Sequence, residues 1–473
     1  MNRYLAFDLG AESGRAILGT LDGGKLELEL LHRFPNTPVR LPTGLYWDTL
    51  RLFHEMQAAL RICGRERRLT LDGIGIDTWG VDFALLGRDG ELTGNPRHYR
   101  DARNEGMLER TLAAVSRVEI FANTGIQFMA INSLCQLYGM KLAGSPALDA
   151  AHTLLFMPDL FNYWLTGVTR CELSIASTSQ FYNPETKKWA VNLFEKLGLP
   201  VAILPEIVEP GAELGPLLPE AAADAGLEGR VPVYATACHD TASAVAAAPA
   251  EGQDWCYISS GTWSLMGVEI DEPVIDSKVL SLNFTNEMGA GGKVRLLKNI
   301  AGLWVLQECR RAWALGGYEY SYEELARMAA AAPPTNTTID VDEFRVPGRM
   351  PEQIAAYCRS TGQAVPEQPG PMCRVILTSL ALSYKKVLDG LEKLLERRIG
   401  VIHIVGGGSR NELLNQLTAD VTGRTVVAGP AEATAAGNIL VQAIGAGRLS
   451  GLAEARRLVR DSFALKVYEP SSL

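Results

Sequence analysis

The chain has 473 residues, more than one ordinary hydrophobic core holds, so two domains are expected. It is 47% hydrophobic and 21% charged with a formal charge of −9, which suits a globular protein and excludes the basic face a general nucleic-acid binder needs. No run of about eighteen apolar residues is present to span a bilayer, and the first residues carry no apolar leader. The expectation is a cytoplasmic protein without nucleic-acid or membrane partners.

Tyr4 to Leu9 is an apolar run ending in Asp8-Leu9-Gly10, followed by the small-residue turn Ala11-Glu12-Ser13-Gly14 and a second apolar run, Ala16 to Leu21. Asp22-Gly23-Gly24 predicts a hairpin, and Leu26, Leu28 and Leu30 alternate with glutamates as in a half-buried strand. Leu50, Phe53, Met56 and Leu60 have helical spacing, and Ile74-Gly75-Ile76 predicts a buried strand ending at Asp77. Strands and helices continue to alternate, which defines an α/β class.

Val231 to Ala237 predicts a strand that runs into His239-Asp240-Thr241. Trp255 to Ser260, the turn Gly261-Thr262 and Trp263 to Val268 then repeat the strand, glycine turn and strand of the opening. Leu380 to Leu395 has helical spacing, Val401 to Val405 is a compact strand, and Gly406-Gly407-Gly408 leads to a helix from about Asn411. Val426 to Ala428 and Ala433 to Ala446 repeat that strand and helix. The Pro/Ala/Gly-rich stretches 205–232, 329–338 and 361–372 read as loops or linkers, with the domain boundary near residues 235 to 250.

The eight cysteines show no Cys-x-x-Cys pair and no zinc spacing, so buried, reduced thiols are expected. Cys358 and Cys373, which flank a Pro/Gly-rich loop, are the one pair to test for a bridge.

Several clusters could carry chemistry. A strand ending in Asp8 and a glycine hairpin can offer a carboxylate to hydrated Mg²⁺ and backbone amides to phosphates, although such hairpins are often only turns. Ser259, Ser260, Thr262 and Ser264 crowd hydroxyls around Gly261 in a comparable way. Gly406-Gly407-Gly408 would let a flat base lie against backbone. Neither the G-x-G-x-x-G dinucleotide fingerprint nor the Walker pattern is present. Asp240 stands where a strand meets a helix and reads either as a helix cap or as a functional carboxylate. Asp77-Thr78-Trp79-Gly80-Val81-Asp82-Phe83 combines carboxylates, an aromatic ring and a glycine, a set that suits a sugar or else a turn with a buried tryptophan.

These stretches, with Met157-Pro158-Asp159-Leu160-Phe161-Asn162-Tyr163, Leu297-Lys298-Asn299-Ile300-Ala301-Gly302-Leu303-Trp304 and Gly429-Pro430-Ala431-Glu432-Ala433, occur in one consistent order. In that order the chain resembles the FGGY family of carbohydrate kinases, in the actin-like ATPase superfamily. The resemblance implies two related α/β domains of actin-like ATPase (ribonuclease H-like) fold with a cleft between them. It assigns 1–245 to the sugar side with the first phosphate loop, and 246–473 to the nucleotide side with a helical tail. It implies ATP with Mg²⁺ and transfer to a ketose, L-rhamnulose at its C1 hydroxyl. L-Fuculose, xylulose, another ketose or a polyol stay open.

The resemblance further implies that Ala11, Glu12, Ser13, Gly14, Arg15 and Thr262 meet ATP phosphates and that Gln307 and Gly407 contact the nucleotide. Gly80, His239, Asp240, Thr241 and Asn299 line the sugar site, Asp240 is the base, and Asp8 holds Mg²⁺ through water. Glu12 departs from the serine that relatives often carry, so only its backbone is expected to serve. An actin-like ATPase that drives binding would need a peptide-binding domain for which no length remains, and a dehydrogenase would need the missing fingerprint. Monomer and homodimer both stay open.

Overall fold

The computed structural model describes residues 1–344 and 346–471, and the chain divides into two compact units. The first comprises Met1–Ala247, Glu269–Leu296 and Ala433–Ser462; the second comprises Ala248–Val268, Leu297–Glu432 and Phe463–Leu473.

In the first unit, β1 (Asn2–Leu9), β2 (Ser13–Asp22) and β3 (Lys25–Pro35) form the expected antiparallel meander. Gly23 and Gly24 turn the second hairpin at φ of 56° and 78°, conformations that glycine adopts at no steric cost. β4 (Gly73–Thr78) pairs parallel to β1, with Asp8 opposite Asp77. β5 (Ala212–Pro216) and β6 (Pro232–Ala235) complete the order β5-β6-β4-β1-β2-β3. Every residue of β4 is buried, as in a parallel strand covered on both faces. The leucine alternation of β3 does not make one buried face. A register shift between Ala16 and Ile17 interrupts the pairing, and Leu30 ends 53% exposed while Leu26 is buried.

Helix Thr49–Arg61 is capped by the Asp48 side chain, which accepts from Arg51 N. Its buried face is Leu52, Met56, Ala59 and Leu60, so the predicted Leu50 lies outward at 64% exposure. Helix Ala433–Gly445 packs on β1 and β4, because Gly75 leaves its side free: a Cβ there would stand 2.5 Å from Asn438 Oδ1. Gly437 in the same helix lies so close to helix Asp240–Ala246 that a Cβ would meet Ser243 O at 1.7 Å. These glycines let backbones approach where a methyl group would hold them apart.

The second unit repeats the hairpin and its parallel neighbour. β7 (Trp255–Ser260) and β8 (Ser264–Ile270) are antiparallel, and β7 runs parallel to β10 (Val401–Val405), β9 being Val294–Ile300. With β11 (Thr425–Ala428) and β12 (Lys466–Tyr468) the seven-stranded sheet runs from the edge strand Thr285–Met288 through β9-β8-β7-β10-β11-β12. The long helix spans Pro369–Leu395, eleven residues earlier than its predicted start at Leu380. Pro369 sits in its first turn, where a missing N–H costs nothing, so the Pro-Gly-Pro run starts a helix instead of a loop. The stretch 205–232 likewise holds strands and the helix Pro219–Ala225. All eight cysteines are buried and free, and Cys358 and Cys373 are not bridged. Burial pushes the Cys373 thiol up to about 12. Among the described residues, no helix is long and apolar enough to cross a membrane.

Candidate active site

The loop between β1 and β2 is held from both sides. Gly10 N donates to Ser13 O at 3.0 Å, and buried Asn36 fastens the loop by giving Nδ2 to Gly10 O and its own N–H to Glu12 O, at 2.8 and 3.0 Å. Glu12 is exposed. Gly14 has no alternative, since a Cβ would stand 2.2 Å from the Phe34 ring. Arg15 forms an ion pair with Asp8 across the hairpin.

On the neighbouring strand Asp77 is fully buried. Its Oδ2 accepts from Asn438 Nδ2 at 2.6 Å, and its Oδ1 has no hydrogen-bond partner. Burial, then the negative charge of Asp8, holds the Asp77 carboxyl well above the usual carboxylate range.

Asp82 is not available to a sugar. It accepts from Trp47 Nε1 at 2.6 Å, Gln136 Nε2 at 3.0 Å, Trp79 Nε1 at 3.1 Å and Tyr99 N at 3.2 Å. Its carboxylate is saturated and Trp79 is buried, its ring centroid 4.0 Å from that of Trp47 at a tilt of 34°. Burial pushes the Asp82 carboxyl up to about 6 against the pull of those four donors. In this segment the structural alternative holds, and Gly80 packs closely against His239 and Thr178: a Cβ there would lie 3.5 Å from His239 Nε2 and 3.3 Å from Thr178 Oγ1. The next residue, Val81, has φ of 67°, a costly conformation for a β-branched side chain.

Asp240 is not the cap of its helix. The cap position belongs to His239, and Asp240 is the first helical residue with no capping bond from either side chain. Asp240 Oδ1 accepts from Thr241 Oγ1 at 3.1 Å and lies 3.4 Å from His239 Nε2, and its side chain is 32% exposed. The preceding chain is fixed by buried Glu172. That carboxylate accepts from Ser174 N, Ser174 Oγ, Ile175 N and Cys238 N, at 2.7, 2.6, 3.0 and 3.1 Å. Ser174 Oγ in turn receives His239 N at 3.1 Å. Burial pushes Glu172 up to about 7.

In the second unit, Thr262 lies in the β7–β8 turn, where Gly261 N donates to Trp263 O at 2.8 Å. Leu303 N and Trp304 N both donate back to this turn at 3.0 Å, on Gly261 O and Thr262 O. They set the start of helix Trp304–Leu315, whose first turns carry Gln307; its Oε1 is buried without a partner. Asn299, half-buried on β9, is one strand away from that turn. Because β7 and β10 are parallel and in register, Gly406-Gly407-Gly408 emerges beside Ser260, and a Cβ on Gly408 would meet Ser260 Oγ at 2.0 Å. Gly407 is exposed between them.

Within the first unit the structure thus gathers Gly80, His239, Asp240 and Thr241, and pairs Asp8 with Arg15. Within the second, the helix carrying Gln307 starts from the turn that holds Thr262, and Gly407 emerges beside Ser260. Sequence reading missed Asn36, Glu172, Asn438, Glu287 and Arg295. The last two border His239 (Glu287 Oε2 at 3.4 Å and Arg295 Nη2 at 3.2 Å from Nδ1), and no local motif marks either.

Known proteins show the same organisation. The N-terminal domain of the FGGY family of carbohydrate kinases matches residues 3–247, and its C-terminal domain matches 256–446. The chain belongs to the FGGY family of carbohydrate kinases. It is 46% identical to the rhamnulokinase of Bacteroides thetaiotaomicron, covering 99% of this chain and 96% of that one. To the rhamnulokinase of Oceanobacillus iheyensis it is 40% identical, covering 98% and 97%. The fold matches ligand-bound xylulose kinase from Lactobacillus acidophilus with a TM-score of 0.81 at 16% identity, over 100% of this chain and 94% of that one. It also matches ADP-bound glycerol kinase from Plasmodium falciparum with a TM-score of 0.76 at 16% identity, covering 99% and 94%. The two α/β units are therefore of the actin-like ATPase type.

Proposed function

We propose that this chain transfers the γ-phosphoryl group of ATP to the C1 hydroxyl of L-rhamnulose, with Asp240 as the base that takes the hydroxyl proton. The observation that carries the assignment is the state of the four carboxylates near the ends of the first unit's strands. Asp8 is paired with Arg15, Asp77 is sealed in the interior, and Asp82 is saturated by four donors. Asp240 alone combines partial exposure with a position beside Gly80 and His239.

Phosphoryl transfer needs positioning and charge stabilisation more than covalent chemistry. Asp240 accepts the proton as the sugar oxygen attacks phosphorus in line, and Gly80 with His239 and Thr241 orients the sugar. Asn299 adds a polar contact to it. The loop from Ala11 to Arg15, which includes Glu12 through its backbone, Ser13 and Gly14, offers amides and a guanidinium to phosphate oxygens. Thr262 adds a hydroxyl, and Gln307 and Gly407 meet the rest of the nucleotide.

Kinases of this family use a divalent metal, commonly Mg²⁺, with ATP. No cluster of three or more His, Cys, Asp or Glu that could hold a metal occurs among the described residues, so an all-protein cage does not fit. A hydrated ion held through one or two carboxylates does fit Asp8, beside the unpartnered Oδ1 of Asp77. When bound, such an ion neutralises charge on the phosphates.

The experiment is a ketose panel with ATP and Mg²⁺ (L-rhamnulose, L-fuculose, xylulose and a polyol), scored for ADP and for phosphate position by phosphorus NMR. The proposal expects the highest kcat/KM on L-rhamnulose, with the phosphate on C1. Preference for another acceptor, or phosphate elsewhere, overturns the substrate assignment.

A further inference from the structure

Arg295 is a fully buried guanidinium, and burying such a charge is costly unless it is paired and hydrogen-bonded. Its Nε and Nη2 donate to Met288 O at 3.1 and 3.0 Å, and Nη2 also reaches Glu287 Oε2 at 3.3 Å and His239 Nδ1 at 3.2 Å. Nη1 is buried with no partner. One of these four contacts falls on a histidine.

An arginine has donors only, so the ring nitrogen that faces it must accept. His239 Nδ1 then presents its lone pair, and the ring proton resides on Nε2, 3.4 Å from Asp240 Oδ1. Glu287 Oε2 lies 3.4 Å from the same Nδ1 and would draw the proton to that side on its own. The opposite tautomer would aim the Nε2 lone pair at the Asp240 carboxylate, acceptor against acceptor. Arg295 lies against both acceptors, Glu287 and Nδ1, and so decides between the two states.

We propose that Arg295, anchored by Glu287, fixes His239 as the Nε2–H tautomer and so points a donor at Asp240, making Arg295 and Glu287 positioning residues for the base. The proposal rests on the reading of Asp240 as the base. A proton on Nε2, 3.4 Å from Asp240 Oδ1, attracts that oxygen electrostatically and leaves the second oxygen to take the proton.

The direct test is the tautomer in the intact, active chain. With ¹⁵N-labelled histidine, long-range proton–nitrogen correlation resolves the six rings, and His239 is assigned by its loss in His239→Gln. Protonated Nε2 with unprotonated Nδ1 is expected; protonated Nδ1 overturns the proposal. Kinetics give a second readout. The amide introduced by His239→Gln reaches the place of Nε2, whereas the one introduced by His239→Asn reaches only the place of Nδ1. His239→Gln should keep kcat within about tenfold, and His239→Asn should lose about 100-fold, with the KM for ATP unchanged in both. Equal losses in kcat, or a loss confined to the KM for sugar, overturn the relay. Arg295→Gln should also lose about 100-fold in kcat; should it fail to fold, the wild-type tautomer and the His239 pair still decide. Asp240→Asn separates the two readings. If it turns over normally, the base assignment fails; if it is inactive while His239 carries its proton on Nδ1, only the relay fails.

Discussion

Asn438 reaches across 361 residues of sequence to donate its side-chain amide to Asp77 Oδ2 at 2.6 Å, deep in the first unit. Gln442, one turn later, holds the other end of that amide by donating to Asn438 Oδ1 at 2.7 Å and to Leu5 O at 3.1 Å. The helix Ala433–Gly445 is thereby fastened to the two strands that carry Asp8 and Asp77. Removing the donor would leave a buried carboxyl with no partner, which costs about 1–3 kcal/mol. Asn438→Ala should lower stability by that amount in urea or guanidinium unfolding, and an unchanged midpoint would show that this contact holds nothing.

The β1–β2 loop should be sensitive to one methyl group. A Cβ on Gly14 would lie 2.2 Å from Phe34 Cε2 and 2.9 Å from Leu9 Cδ2. Overpacking of this kind costs about 1–3 kcal/mol. Gly14→Ala should therefore lose stability and raise the KM for ATP. Shrinking the ring in Gly14→Ala/Phe34→Leu should recover part of both, a non-additivity that a double-mutant cycle measures. Strict additivity would mean that the loop responds to something other than this ring.

Glu172 predicts a pH dependence. Burial pushes its carboxyl up to about 7 in the folded chain, against an ordinary value of about 4.3 when unfolded. Between those values the native state keeps a proton that the unfolded chain has released. Its contribution is thus fully present below about pH 4 and is lost as pH rises through about 7. The loss is on the order of 4 kcal/mol. In Glu172→Gln this part of the slope should vanish, whatever the absolute stability of the variant. Parallel stability-versus-pH curves for the two proteins would refute it.

The elements most legible in the sequence are those whose pattern is local. β1, β4, β7 and β10 are short apolar runs because parallel strands covered on both faces need no polar side, and each runs into a glycine or carboxylate. The face of helix Thr49–Arg61 is misread at Leu50 because several apolar spacings compete and only packing selects Leu52 and Met56. The early start of helix Pro369–Leu395 is hidden by prolines that serve equally in loops and in first turns.

Site residues divide along the same line. Asp240 and Gly80 stand in recognisable segments, but whether Asp240 caps its helix depends on a one-residue offset that spacing does not resolve. Asp82 and Trp79 look like sugar contacts until Trp47, Tyr99 and Gln136 are seen converging on the same carboxylate. Arg295, Glu287 and Glu172 act on the His239-Asp240 segment from strands and turns remote in the chain. No local signal could have found them.

The most direct measurement is turnover of Asp240→Asn with L-rhamnulose, ATP and Mg²⁺, alongside ATP binding to the same variant. Loss of a general base removes about 10²- to 10⁴-fold in rate, so kcat should fall by that factor while ATP affinity stays near that of the unmodified chain. Near-normal turnover by this variant would contradict the account.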